Sequence, residues 1–279
     1  MNAHVVRAAW RQALVTFRRK YLIPSGLWFL LTPVFLLAVL WLIRDRDFLD
    51  MVPASGYLLA GMLGYSVVSI AVVSVASVLQ AEREDGTLLR AKAIPHGIGG
   101  HLLAKLFLIP VEALIVVVPI LIGTAILLPE LLPTGPRAWL LLAVFYLLAL
   151  AAMLPWGAVL GSVFRSTLAV GIAILVLYAL AIVSGFFFPI SYLPGWLQGL
   201  VQLTPMYWIG MGMRAVFLPA EAAAVELHGT FQTPLALAVI AGWAVVGFLL
   251  APVVLRRMAN RQSGSVVAAA RERVLSRGY

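Results

Sequence analysis

The chain has 279 residues, of which 63% are hydrophobic and only 11% are charged. A soluble domain carries about 25% charged residues, so a soluble chain of this composition could not cover its surface with polar groups. The net charge of +9 comes from basic residues at the ends of apolar runs, which argues against a nucleic-acid-binding face. The absence of cysteine excludes disulfides, thiolate metal sites and cysteine nucleophiles. Composition therefore predicts an integral membrane protein.

The amino-terminal segment, residues 1–22, is predicted to form an amphipathic helix ahead of the first apolar run. Its apolar side chains recur at helical spacing, and arginines flank the face that they share. The apolar set is Val6, Trp10, Leu14, Phe17 and Tyr21, and the arginines are Arg7, Arg11 and Arg18. Such a helix lies in the membrane interface, although a basic anchor that only fixes orientation is an alternative that the sequence leaves open. The segment lacks the apolar core of a signal peptide, so we expect the first apolar run to remain as a span.

Six apolar runs are long enough to cross the hydrocarbon core, which takes about 20 residues of helix. They cover residues 24–43, 55–79, 102–128, 138–163, 168–187 and 234–255. The prolines inside them are tolerated because neighbouring helices can satisfy the freed backbone groups; they are Pro33, Pro110, Pro119 and Pro155. No internal repeat is evident, and residues 1–279 are predicted to form a single all-α membrane domain.

The distribution of basic residues predicts which side of the membrane each connector faces. If both termini lie on one side, sixteen of the 20 Lys and Arg residues lie there as well. The remaining four, on the opposite side, are Arg44, Arg46, Arg137 and Arg214. Because basic residues accumulate in cytoplasmic loops, both termini, including the tail 256–279, are predicted to be cytoplasmic.

The cytoplasmic connector 80–100 is the most charged segment between spans. Its charged residues fall within eleven positions and are Glu82, Arg83, Glu84, Asp85, Arg90 and Lys92. Gly86 permits a sharp turn, Thr87 can cap a following helix, and Pro95 disfavours its continuation. We therefore expect a two-turn helix over 88–94 that packs on something, because a helix of that length is marginal alone. A solvated connector with ordinary interfacial charges is the alternative.

The long external segment 188–233 is predicted to contain re-entrant or interfacial helices. Its prolines cut it into apolar pieces of about 10–13 residues, too short to span; they are Pro189, Pro194, Pro205 and Pro219. Trp196, Tyr207 and Trp208 supply amphipathic rings suited to the headgroup level. Because a loose outer loop would expose too many large apolar side chains, we expect the segment to tuck back against spans 5 and 6.

Glu112 is the only acidic residue well inside a predicted span, about ten residues or roughly 15 Å from the inner end of span 3. An ionised group near the bilayer centre costs about 2.5 kcal/mol or more, so it is either functional or paired. Lys105 and Arg165 are the candidate structural partners. A substrate or gating role and a structural ion pair both remain open.

Span 2 carries hydroxyl side chains on one broad helical face, with glycines nearby. The serines are Ser66, Ser69, Ser74 and Ser77, and the glycines are Gly61 and Gly64. Small and hydroxyl side chains either let helices approach closely or line a polar path. Tyr178 in span 5 has the same two interpretations, as a path residue or as ordinary packing.

Two stretches carry a resemblance to a known family. The connector E-R-E-D-G-T-L-L-R-A-K-A-I-P (82–95), followed by Lys105, resembles the signature of ABC-2 type permeases. F-F-F-P-I-S-Y-L-P-G-W-L (186–197), followed by T-P-M-Y-W (204–208), is similar to that family's region after the fifth span. The likeness covers nearly the whole chain and is closest to bacterial drug- and daunorubicin-resistance permeases. Leu89 stands where members often carry a charged residue.

The resemblance implies partners and roles. Two permease subunits, identical or paralogous, would form the path among membrane lipids, and each would bind a cytoplasmic ABC ATPase that hydrolyses ATP with Mg. The coupling element would comprise Glu82, Arg83, Glu84, Gly86, Thr87, Leu88, Arg90 and Pro95. The external segment would close the outer mouth, and candidate path or gate residues are Glu112, Ser66, Ser69, Tyr178, Pro189 and Pro205. No G-x-x-x-x-G-K-[ST] run occurs in the sequence, so we expect the chain to bind no cofactor directly.

The resulting expectation is a non-enzymatic permease subunit of an ATP-binding cassette exporter in a bacterial inner membrane, with a hydrophobic or amphipathic substrate. An ion-coupled secondary transporter would favour repeat symmetry and ionisable residues at the midplane of broken helices. A membrane-embedded enzyme would need clustered carboxylates, a Ser–His pair or metal ligands within the spans. His96, His101 and His228 have no companions at metal-ligand spacing, so neither a catalytic nor a metal site is predicted.

Overall fold

The computed structural model describes residues 31–48, 52–87, 97–164 and 166–261, together with six positions of the amino-terminal segment. For residues 84, 97–107, 256 and 259–261 the description covers the backbone alone. The six amino-terminal positions are helical with exposed side chains; they are Arg7, Trp10, Arg11, Leu14, Val15 and Arg18. The rest of the predicted interfacial helix lies outside the described residues, and its place in the interface stays a prediction.

The first half of the chain contains three long helical elements. Helix α1 (Leu31–Leu42) is followed by two short antiparallel strands, β1 (Asp47–Phe48) and β2 (Val52–Pro53). Span 2 is one continuous helical rod made of α2 (Ala54–Val68), a π-helix (Ser69–Ser74) and α3 (Val75–Glu84). Span 3 is α4 (Gly97–Leu127), and a 3₁₀ turn (Pro129–Leu131) follows it.

The second half contains three further spans and a pair of short helices. Span 4 is α5 (Gly135–Val163), and span 5 is α6 (Thr167–Ala181) with a π-helical end (Ile182–Phe186). A 3₁₀ turn (Ile190–Tyr192), α7 (Gly195–Gln202), α8 (Pro205–Phe217) and a further 3₁₀ segment (Ala220–Val225) make up the external region. Span 6 is α9 (Thr233–Arg261).

Five helices within the described residues are long and apolar enough to cross a membrane. They cover Ala54–Arg83, Leu108–Leu127, Gly135–Val163, Thr167–Phe186 and Thr233–Leu255. Helix α1 is apolar but has only 12 described residues, because the predicted first span begins at residue 24, outside the described part. The all-α membrane architecture is confirmed, and the count of six spans stays a prediction.

Spans 2 and 3 extend further toward the predicted cytoplasmic side than their apolar runs. Helix α3 continues to Glu84 and α4 begins at Gly97, so the connector is shorter than the predicted 80–100. Glu and Arg are good helix formers, so these charges do not end a helix. Gly86 stops the helix from continuing, because it adopts the left-handed backbone (φ +78) that typically follows a helix end. The helices also continue through Pro110, Pro119 and Pro155, as predicted.

Each proline of the external segment begins a helical element. Pro189, Pro194 and Pro219 immediately precede the 3₁₀ turn, α7 and the second 3₁₀ segment, and Pro205 is the first residue of α8. Proline suits these positions because its fixed φ matches the helix and its missing N–H is not needed there. The elements thus start at the predicted prolines, but they have 3, 8, 13 and 6 residues, and only α8 has the predicted length of about 10–13 residues.

The terms inner and outer follow the predicted orientation, and helix α8 is the buried centre of the half that is predicted to be external. It contacts α2, α5, α9 and the π-helical end of span 5. It runs antiparallel to α2, since Leu218 lies against Gly56 and Ile209 lies against Gly64. Contact with spans 5 and 6 was predicted, but span 2 is the more extensive partner because its glycines leave room for α8. Re-entry into the membrane stays a prediction that this packing supports.

Spans 2 and 4 are in backbone contact near their middle and inner parts. Gly157 and Gly161 of α5 lie four residues apart and face the rod of span 2. A Cβ on Gly157 would overlap the carbonyl oxygen of Ala71, and one on Gly161 would come within 2.9 Å of the Cα of Ala76. Small residues at this spacing allow two membrane helices to approach closely. Spans 2 and 4 therefore cannot separate or slide without losing an extensive contact.

Candidate functional site

A buried ion pair joins α8 to the loop that follows it. The side chains of Arg214 and Glu226 are 1% and 3% exposed, and Arg214 Nε donates to Glu226 Oε1 over 2.5 Å. Tyr207 donates its hydroxyl to the other carboxylate oxygen, Oε2, over 3.3 Å. Arg214 Nη1 also donates to the carbonyl oxygen of Gly185 over 2.6 Å. The pair therefore ties α8 to the outer end of span 5.

Tyr57 extends this arrangement to span 2. Its hydroxyl donates to the Gly185 carbonyl over 3.0 Å, and its ring lies 4.9 Å from the guanidinium carbon of Arg214. Gly185 has a left-handed backbone (φ +82), which favours glycine and lies within the π-helical end of span 5. We call Tyr57, Gly185, Tyr207, Arg214 and Glu226 the outer network. It connects span 2, span 5, α8 and the following loop.

The electrostatics of the outer network keep Tyr207 and Arg214 in fixed protonation states. Burial raises the pKa of Tyr207, and the Glu226 carboxylate raises it further, so the phenol remains a hydrogen-bond donor. Burial alone would lower the pKa of Arg214, but Glu226 and the neighbouring tyrosines outweigh that effect and raise it. Arg214 was expected among the external loop charges. It is instead a buried, paired cation, because its helix packs into the bundle.

A half-buried aromatic cluster lies where span 2 meets the outer part of span 5. The ring of Tyr65 lies 6.2 Å from that of Tyr178, 5.5 Å from Phe187 and 6.4 Å from Phe186. The side chains of Ser69 and Tyr178 are the nearest polar neighbours of the Tyr65 hydroxyl. The structure thus brings together the path candidates Ser69 and Tyr178. We call Tyr65, Ser69, Tyr178, Phe186 and Phe187 the Tyr65 cluster. Tyr65 itself was not predicted, although it lies one turn before Ser69.

An apolar groove of about 350 Å³ runs between spans 4 and 5. It is lined by Val72, Met153, Trp156, Val159, Leu160, Val163, Phe164, Leu177, Pro205 and Met206. Pro205 and Met206 begin α8, so the first turn of that helix closes one end of the groove. Val163 and Phe164 end span 4 at the other end. A groove lined in this way suits a hydrocarbon or aromatic group and offers nothing to a free ion.

The other path candidates are placed separately. Ser66 is buried, donates to the carbonyl of Leu63 over 2.7 Å and lies 3.4 Å from the hydroxyl of Tyr146, which favours helix packing. Glu112 is 6% exposed, has a polar or electrostatic partner, and lies in a helix that packs on α1 and α2. It lines neither the groove nor the Tyr65 cluster. Pro189 is buried at the start of a 3₁₀ turn.

The coupling candidates are described in part. The backbone N–H of Thr87 donates to Asp85 Oδ1 over 2.7 Å, so the carboxylate of Asp85 is the acceptor at this turn. Arg83 Nη1 donates to the carbonyl oxygens of Gly161 (3.0 Å) and Phe164 (2.7 Å) at the end of span 4. Glu82 is half-buried and has a partner of its own. Leu88, Arg90, Pro95 and the side chain of Glu84 lie outside the described residues.

Two features were not predicted, although the sequence carries a signal for each. Arg214 stands in the apolar segment M-G-M-R-A-V-F, and a cation in such a segment is usually paired or functional. G-A-V-L-G (157–161) is a close-packing motif of membrane helices. Gly185 carries no such signal, because its role depends on a carbonyl group. In the described part of the chain, no three His, Asp or Glu side chains group as metal ligands.

The model of the ABC-2 type transporter family matches residues 4–218, which is well over half of the chain. The match runs from the amino-terminal segment through the charged connector to the end of α8, just before the loop that carries Glu226. No curated protein matches the sequence. The matched region contains four of the five helices that are long and apolar enough to span, as a multi-pass membrane protein requires. The chain belongs to the ABC-2 type transporter family.

Proposed function

We propose that this chain is the permease subunit of an ATP-binding cassette exporter. It moves a hydrophobic or amphipathic substrate, such as a drug, a lipid or a lipid-linked glycan, out of the cytoplasm or inner leaflet. The family match over residues 4–218 carries this proposal. Because the sequence has no phosphate-cradling loop, a separate cytoplasmic ABC ATPase hydrolyses ATP with Mg.

The proposed setting is a bacterial inner membrane, with both termini in the cytoplasm. The excess of Lys and Arg on that side supports the orientation. A second permease subunit, either identical or a paralogue, completes the path. The connector that begins at Asp85 and Gly86 faces the ATPase in this orientation and acts as its coupling element.

The substrate class is supported by two neighbouring surfaces. The groove between spans 4 and 5 is lined almost entirely by apolar groups. The Tyr65 cluster adds hydroxyl groups and aromatic faces at the contact of spans 2 and 5. An amphipathic molecule can place its apolar part in the first and its polar part near the second. π-Helical segments such as Ser69–Ser74, which lies beside both, are frequent at functional sites.

The mechanism is a switch between inward-open and outward-open states. ATP brings the two ATPase subunits together, and the coupling elements convert this displacement into rigid-body motion of the spans. Substrate shifts the equilibrium only through different affinities for the two states. On the outer side of the membrane, the outer network holds α8 against spans 2 and 5. It thereby keeps the outer end of the transport path closed until the spans move.

The test is transport by reconstituted vesicles that contain the chain with and without its co-purified ATPase. Daunorubicin and a fluorescent phospholipid serve as probes of the two substrate classes. We expect Mg-ATP-dependent movement of at least one probe, and none when the ATPase carries a substitution of its phosphate-loop lysine. Movement by the permease alone, driven by a proton gradient, would show a secondary transporter and end the proposal.

Glu112 has a separate test, because it is buried away from the groove and the Tyr65 cluster. Glu112→Gln removes the charge and preserves the shape of the side chain. If Glu112 gates the path, export of the transported probe falls at least fivefold at matched expression. The control is Glu130→Gln, an exposed carboxylate in the turn after span 3. Unchanged transport by Glu112→Gln would leave Glu112 a structural role only.

A further inference from the structure

The inner end of span 2 is joined to the inner end of span 4 by one guanidinium. Arg83 lies in the last turn of α3, and its Nη1 donates to the carbonyl oxygens of Gly161 and Phe164. The last carbonyls of a helix have no partner within that helix. A cation placed there satisfies them and also interacts favourably with the helix dipole. Arg83 therefore caps span 4 from span 2.

Arg83 also lies between two places where the chain changes direction. Helix α3 ends at the next residue, Glu84; Asp85 is its C-cap, and Gly86 turns the chain toward the predicted coupling helix. On the other side, Phe164 is followed within three residues by span 5. That span begins at Thr167 and is capped by Ser166, whose Oγ accepts from the N–H of Ala169 over 3.1 Å. The guanidinium thus bridges the start of the coupling connector and the turn between spans 4 and 5.

The surrounding packing is stiff enough to transmit a displacement. Gly157 and Gly161 place the backbone of span 4 directly on that of span 2, where an added Cβ would overlap Ala71 or Ala76. Because packed backbones cannot yield as long side chains do, movement of α3 carries the end of α5 with it. Arg83 adds the last connection, at the point closest to span 5.

We propose that Arg83 is a positioning residue that passes the displacement of the coupling connector to the turn between spans 4 and 5. The inference rests on the proposed function and refines it. The resemblance placed Arg83 in the element that couples to the ATPase, whereas its Nη1 donates to two carbonyls of this chain. Its substitution therefore weakens the transmission of movement and leaves the binding of the ATPase intact.

The experiment uses the complex of the full chain with its co-purified ATPase. The sequence has no cysteine, so Leu168→Cys provides a single labelling site. Leu168 is the second residue of span 5 and is 75% exposed, which suits an environment-sensitive fluorophore. The fluorescence change on addition of Mg-ATP is measured in this background for the otherwise unchanged chain and for the Arg83→Gln, Arg83→Lys and Arg137→Gln variants.

We expect Arg83→Gln to reduce the ATP-induced fluorescence change at least fivefold while the ratio of ATPase to permease stays the same. Arg83→Lys keeps a cation near the carbonyls but loses the planar guanidinium group with its several N–H donors. We expect its fluorescence change to lie between those of Arg83→Gln and the unchanged chain. Arg137→Gln, an exposed arginine at the start of span 4, should behave like the unchanged chain. If Arg83→Gln fails to fold, Arg83→Lys decides the question alone.

Two results would overturn the inference. One is loss of the ATPase from the Arg83 variants at normal permease yield, which would make Arg83 a docking contact. The other is a full fluorescence change in a folded Arg83 variant. A different failure, in which the unchanged chain retains no ATPase or shows no response to Mg-ATP, would count against the proposed function itself. The two failures are thus distinguishable.

Discussion

The two ends of span 2 are held in different ways. At the outer end, Tyr57 belongs to a network whose charged members are almost completely buried and which reaches span 5 and α8. At the inner end, a half-buried Arg83 bonds to backbone carbonyls of span 4. A buried charge without its partner is very costly, whereas a partly exposed cation can return to water. The outer end should therefore determine stability, and the inner end should determine how movement is transmitted.

The largest effect is expected for Glu226→Ala, which leaves Arg214 buried without its carboxylate. Breaking a buried pair in this way costs about 3–5 kcal/mol. The measurement is unfolding of the detergent-solubilised protein by SDS. Glu221→Ala, an exposed carboxylate in the same loop, is the matched control and should be neutral.

The double variant Arg214→Met/Glu226→Leu sharpens this prediction. Apolar replacement of a whole buried pair is often neutral or stabilising, so the double variant should recover most of the stability that Glu226→Ala loses. A double variant as unstable as the single one would mean that the packing of these side chains, and not their charge, matters at the outer end.

The second effect concerns close packing at the outer end. A Cβ on Gly61 would run into the carbonyl oxygen of Phe186, which is backbone and cannot move aside. Gly61→Ala should therefore cost about 1–3 kcal/mol, as overpacking does. Gly242→Ala in span 6 is the control, since nothing lies within 4 Å of its added Cβ. Equal stability of the two variants would contradict the close contact between spans 2 and 5.

The third effect is smaller because a neutral hydrogen bond is lost and no charge is left without its partner. Tyr57→Phe removes the bond to the Gly185 carbonyl, which still accepts from Arg214. The expected cost is about 1 kcal/mol in the same unfolding assay. Tyr192→Phe, at a tyrosine that is 54% exposed, serves as the control and should have no effect.

The smallest effect on stability is expected at the inner end. Arg83→Gln should cost about 0.5–1 kcal/mol, the usual contribution of a cation at a helix carboxyl end. The same substitution should strongly reduce the ATP-induced movement of span 5. A loss of stability as large as that of Glu226→Ala would remove the proposed difference between the two ends.

Much of the architecture could be read from local signals. Apolar length predicted the spans, prolines such as Pro194 and Pro205 marked where external helices begin, and Gly86 marked the turn after span 2. These signals work because each depends on the residue itself: its hydrophobicity, its fixed φ or its freedom to adopt a positive φ.

The site could be predicted only in part, because its key contacts are tertiary. No local sequence pattern indicates that Arg214 pairs with Glu226. Nor does any indicate that Tyr57 hydrogen-bonds to Gly185, which is 128 residues away. The two acceptors of Arg83 Nη1 are backbone carbonyls, which every residue possesses, so this contact leaves no trace in the sequence. The π-helical segments likewise follow from packing. Ser69 and Tyr178 were chosen separately, and only the fold shows that both contact Tyr65.

The location of Arg214 and Glu226 on one short stretch has a consequence for biogenesis. Both residues are synthesised after span 5 and before span 6. They can therefore form their ion pair in water before α8 packs against spans 2, 4 and 5. Tyr57 and Gly185 are already in place at that time, whereas α9, which packs on α8, emerges later. Since span 2, span 4 and the end of span 5 are present without α9, we expect a chain that ends before Thr233 to dock α8 less firmly and to leave it more accessible to added protease than in the full chain.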